Sequence, residues 1–130
     1  MTSWGPYRQV LAAVALAMSI APHAAAAQQV DRSPERNLAI IEFGYDMPDN
    51  DPRVLAFGVA LDTLAAECPE ARVTLADLTA GTQKVMADRG VNESPSTILA
   101  SVIADIDGDR VLPTCQDYFV GHALLRLGGA

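Results

Sequence analysis

Two cysteines, Cys68 and Cys115, constrain this chain more than any other feature, because they sit at the ends of two apolar stripes with helical spacing. The first stripe is Val54, Phe57, Leu61, Leu64 and Cys68, whose steps of 3, 4, 3 and 4 residues place one buried face along a helix. Asp51 is placed to cap it, Pro52 suits the first helical position, and Pro69 stops continuation. The second stripe is Cys115, Tyr118, Phe119, His122 and Leu125, with Leu124 and Leu127 beside it. Thr114 is its cap, Asp117 stands at the third helical position, and Gly128-Gly129 ends it.

Two further helices lie between these. One spans about Leu75 to Arg89, with Thr74 and Asp77 as a capping pair, Val73 as a staple against Leu78, and a face of Leu75, Leu78, Thr82, Val85 and Met86. The other starts at Ser94-Pro95, carries Ile98, Leu99, Val102, Ile103 and Ile106, and is followed by Gly108. Residues 34–43 admit two readings. Ser33-Pro34-Glu35 is a helix start, whereas Leu38 to Phe43 would suit a strand. A lone strand leaves its backbone groups unpaired, so the segment reads as a short helix followed by a loop over residues 44–51. The expected fold is all-α: a small up-down four-helix bundle with a short extra N-terminal helix and one disulfide. In such a bundle the end of the first long helix and the start of the last meet at one end, on neighbouring helices.

The disulfide expectation depends on compartment. Met1 to Gln9 is polar and carries Arg8, Val10 to Ala21 is apolar apart from Ser19, and Pro22 precedes His23 and a run of alanines. This is the pattern of a cleavable export signal, cut between Ala27 and Gln28. As a helix the apolar stretch would rise only ~18 Å, too short for a hydrocarbon core of ~30 Å. The expected organisation is a signal over residues 1–27, an N-terminal segment and acidic loop over 28–50, and a helical domain over 51–130. The address is the periplasm or the exterior, where a single cysteine pair oxidises. Closing so long a loop stabilises by roughly 4 kcal/mol in the chain-entropy model.

The formal net charge of −7 repels nucleic acid and anionic lipid. No later stretch is long and apolar enough to span a bilayer. No glycine-rich phosphate loop, G-x-S-x-G motif or pair of carboxylates in apolar settings is present. The run Asp105-Ile106-Asp107-Gly108-Asp109 alternates carboxylates as a calcium loop does, but Arg110 replaces the required glycine and Gln116 the bidentate glutamate. Asp46, Asp49 and Asp51 form a second acidic loop. His122, the histidine that survives cleavage, could hold a haem with Met86 or Met47, or join Cys68 and Cys115 around zinc. The bland reading of His122 is a structural core residue, and that of the aspartates is a solvated helix exit. Gly58 and Gly121 interrupt helices, either through tolerance or to admit a close neighbour.

The segment Thr114-Cys115-Gln116-Asp117-Tyr118 resembles the Thr-Cys-x-Asp-aromatic segment of the HdeA family of periplasmic acid-stress chaperones, which are small, helical and held by one disulfide of similar span. In that family the segment surrounds the first cysteine; here it surrounds the second. Cys115-x-x-Tyr118-x-x-Gly121 is similar to a stretch of the Tai immunity proteins, whose further cysteines this chain lacks. Each likeness covers fewer than ten residues. The expectation is therefore a non-enzymatic, cofactor-free accessory protein of the periplasm whose partner is another exported protein. The alternatives are a ligand-binding bundle (calcium at residues 105–109 or haem at His122) and an HdeA-like stress chaperone.

Overall fold

The computed structural model describes residues 32–108 and 111–128. The export signal, its Ala27/Gln28 junction and Asp109 lie outside the described residues. Five helices follow one another: α1 (Pro34–Phe43), α2 (Pro52–Glu67), α3 (Arg72–Asp88), α4 (Pro95–Gly108) and α5 (Cys115–Gly128). Among the described residues there is no strand.

The helix ends follow local chemistry in four of the five cases. Ser33 accepts the Arg36 N–H with its hydroxyl, Pro34 sits at the first position, and Gly44, at a φ of +83°, closes α1 in a left-handed turn. The short-helix reading of residues 34–43 therefore holds. Asp51 accepts the Arg53 N–H at the start of α2. The Ser94 hydroxyl accepts the Thr97 N–H before α4. Thr114 and Asp117 cap α5 through the Asp117 N–H (3.3 Å) and the Thr114 hydroxyl (2.8 Å).

Helix α3 departs from expectation. It begins at Arg72, a turn before Leu75, with Ala71 at the cap position and no side-chain capping bond. Thr74 lies inside the helix, and Val73 is more than half exposed and staples nothing. The first turn is held instead by Arg72, which pairs with Glu35 of α1 (3.3 Å) and Asp62 of α2 (2.7 Å). Two ion pairs tie this uncapped start to neighbouring helices, while its first N–H groups receive no side-chain cap.

Polar contacts between helix ends set the directions. Glu35–Arg72 joins the starts of α1 and α3, while Glu42, near the end of α1, accepts the Ser96 N–H at the start of α4 (2.8 Å). The Cys68–Cys115 disulfide joins the end of α2 to the start of α5 with a Cα–Cα separation of 5.6 Å. Successive helices thus alternate in direction, and α1, α3 and α5 run the same way. The expected bridge and alternation are present, but α2 and α5 are not side by side. Helix α2 packs on α1, α3 and α4, whereas α5 packs on α3 and α4 alone. Helix α1, with Leu38 and Ala39 buried, is the neighbour that packs most extensively along α2. Helix α3 lies at the centre, in contact with all four others. Residues from Ser33 onward form one unit, so α1 and the acidic loop share a core with the helices from residue 51.

The core is built from Leu38, Val54, Phe57, Leu61, Leu64, Leu75, Ile98, Leu99, Val102 and Phe119, joined by Met47 from the loop after α1. Thr79, fully buried in α3, returns its hydroxyl to the Leu75 carbonyl at 2.8 Å and so leaves no unsatisfied donor. An alanine at Gly121 would meet open space, and one at Gly58 only ordinary contacts with Arg72 and Glu35. Neither glycine is required for close helix approach within the chain.

The disulfide closes a separation of 47 residues onto a helix that touches only two of the other four. Replacing both cysteines (Cys68→Ala/Cys115→Ala) is expected to lower unfolding free energy by about 2–5 kcal/mol in urea titration. Amide exchange is expected to accelerate first in α5.

Candidate functional site: an apolar groove between α3 and α5

Helices α3 and α5 run in the same direction and are fastened to each other at both ends. At one end Glu70, just before α3, accepts the backbone N–H groups of Cys115 (3.3 Å) and Gln116 (2.7 Å), a carboxylate on the N-terminus of α5 where the helix dipole favours it. The disulfide closes the same corner. At the other end Glu93, just after α3, holds α5 through His122 Nε2 (2.6 Å) and Arg126 Nε (3.1 Å). The His122 and Glu93 side chains are 6% and 11% exposed, so this clamp is largely withdrawn from water.

Between the clamps the helices enclose an open groove of about 520 Å³. Leu78, Gly81, Thr82 and Val85 form the α3 wall; Phe119, Val120, Ala123, Leu124 and Leu127 form the α5 wall. Its charged lining residues are Asp77 towards one end and Arg89 at the other. Leu124 is 65% exposed, and Val85 and Val120 are each 50% exposed. A second, smaller pocket of about 250 Å³ lies over Phe57, Leu99 and Ile103, with Phe43 and Arg53 at its rim.

This groove changes the reading of two stripes. Leu75 and Met86 of α3 are buried as expected, but Thr79 and Ala76 complete the buried face, while Leu78 and Thr82 are half-buried and Val85 faces outward. On α5, Cys115, Tyr118, Phe119 and His122 are buried, whereas Leu125 is 74% exposed. Both helices carry more apolar positions than one core face can accept, and the surplus lines the groove. That surplus was visible in the sequence as Leu124 and Leu127 beside the main stripe; Glu70 and Glu93, the two clamps, carried no local signal.

The other predicted ligands are dispersed or already engaged. Asp105 and Asp107 are exposed on the last turns of α4, and carboxylates two apart on a helix point to different sides instead of converging as in a calcium loop. Asp46 and Asp49 pair with Arg36 at 2.8 and 3.7 Å. Asp51 accepts from the side chain and backbone of Arg53, which holds its carboxyl down to about 2 from an ordinary 3.8. The same hydrogen bonds, with one that Arg53 donates to the Tyr45 hydroxyl oxygen, raise the Arg53 guanidinium, which also lies 5.0 Å over the Phe43 ring and 5.3 Å over Tyr45. Met47 and Met86 are buried in packing positions, and His122 Nε2 is engaged by Glu93. Cys68, Cys115 and Glu70 bring ligand atoms within 4.8 Å of one another, but the sulfurs are bonded to each other.

The Glu93→Ala variant leaves His122 buried without its partner. It is expected to lose about 1–3 kcal/mol of stability by denaturant titration. An unchanged midpoint would show that Glu93 does not fasten α5. No protein-family model, curated protein or solved structure matches the chain.

Proposed function

We propose that this chain is a non-enzymatic interaction protein of the periplasm, exported with its N-terminal signal removed, which works by docking another polypeptide along the groove between α3 and α5. The observation that carries this reading is the apolar lining itself. Val85, Val120 and Leu124 stand in water on walls clamped at both ends, and a solvent-facing apolar patch of this kind is characteristic of protein–protein contact. Among the described residues no helix is long and apolar enough to cross a membrane. A photo-crosslinking residue at position 124 is expected to trap a polypeptide, whereas one at the equally exposed Val59 of α2, which does not line the groove, is expected to trap none. Equal yields at the two positions would remove the groove from the reading.

A second reading, the acid-responsive chaperone, draws support from the number of carboxylates that hold the fold together. Glu35, Asp62, Glu70 and Glu93 each fasten one helix to another, and Asp51 caps α2. The Asp51 carboxyl titrates lower in the folded state than its ordinary value of 3.8, so its contribution is complete above that value and is lost as pH falls towards about 2. On this reading, binding of an apolar dye rises across that acidic window as the start of α2 loosens. Dye binding that stays flat from neutral pH down through it would dispose of the chaperone and leave the docking protein.

A further inference from the structure

The charges of the groove carry information about its occupant. Arg36, Arg53, Arg72, Lys84 and Arg126 each hold a carboxylate within the chain. Asp77 and Arg89, the acid and the base that line the groove, are both exposed and have no ion-pair partner among the described residues. They lie twelve residues apart, Asp77 within α3 and Arg89 just past its end, hence about 18 Å along its axis. The groove is thus an apolar strip with an unpaired carboxylate towards one end and an unpaired guanidinium at the other.

Such a strip is complementary to itself when reversed. A two-fold axis lying across the groove turns its direction around and sets Asp77 of each copy against Arg89 of the other, giving two ion pairs about a shared apolar centre. A parallel pairing would bring like charges together. At the middle of the α3 wall stands Gly81, where an added Cβ would meet nothing within 4 Å. A glycine in a helix interior costs about 1 kcal/mol relative to alanine, and the fold of one chain gives no reason for it. An α3 helix laid across another α3 does, because the missing side chain lets the backbones approach.

We infer that the groove is the interface of a homodimer in which two copies of this chain pack α3 and α5 face to face and antiparallel. This rests on the docking reading above and names its partner as a second copy.

The test is sedimentation equilibrium on protein expressed from the full sequence and purified with its disulfide formed. The expected result is a concentration-dependent dimer. Leu124→Asp, at a position 65% exposed, is expected to give a monomer with unchanged helicity. Asp77→Arg and Arg89→Asp singly are each expected to weaken dimerisation by about tenfold, since each puts like charges at both ends of the pairing. The double reversal Asp77→Arg/Arg89→Asp is expected to recover most of that loss. A dimer insensitive to Leu124→Asp, or single reversals not rescued by the double, would overturn the antiparallel pairing. A strict monomer that still crosslinks a different polypeptide from position 124 would overturn self-pairing and leave the docking reading intact. A strict monomer with no adduct specific to that position would overturn both.

Discussion

The attachment of α5 to the loops on either side of α3 is the constraint from which the rest of this structure follows. Glu70 and Glu93 bracket α3 in the sequence, and each reaches across to one half of α5. With both ends fixed, the two helices pack along each other while their outward apolar positions stay uncovered. The small residues Gly81 and Ala123 face the space between them, and the space persists as a groove.

The disulfide belongs to the same arrangement. It does not staple two helices along their lengths; it ties the last residue before Pro69 to the first residue of α5, at the corner where Glu70 also acts. One corner therefore combines a covalent link, a charge-assisted cap and the exit of α2. The opposite corner uses Glu93 with His122 and Arg126, and the near-complete burial of His122 is explained by that partner. A lone histidine on an apolar face, which invites metal or haem, here serves as a buried hydrogen-bonding post.

Ion pairs take over wherever local helix signals are weak. Helix α3 starts without a capping side chain, and Arg72 holds its first turn to α1 and α2. The three carboxylates of the acidic loop, Asp46, Asp49 and Asp51, are paired with two guanidinium groups, Arg36 and Arg53, both from the first turns of adjoining helices. The acidity of the chain is thus partly structural: carboxylates that resemble ligands in the sequence are bound to guanidinium groups in the fold.

What the sequence determined by itself is everything that depends on spacing within about four residues. The caps at Ser33, Asp51, Ser94 and Thr114, the stops at Gly44 and Gly90, the stripes of α2 and α4 and the pairing of the two available cysteines all follow from local geometry, which the chain carries wherever it is placed. Tertiary structure alone decided which of two apolar faces on α3 and α5 would be buried. The 3.6-residue period permits either face, and the packing of α5 on α3 and α4 selects the one that is buried. It also decided the partners of Glu70, Glu93 and Arg72, since a charged side chain records no direction until a second helix is brought against it. The groove is the sum of those long-range choices, and for that reason its residues were readable as apolar but not as exposed.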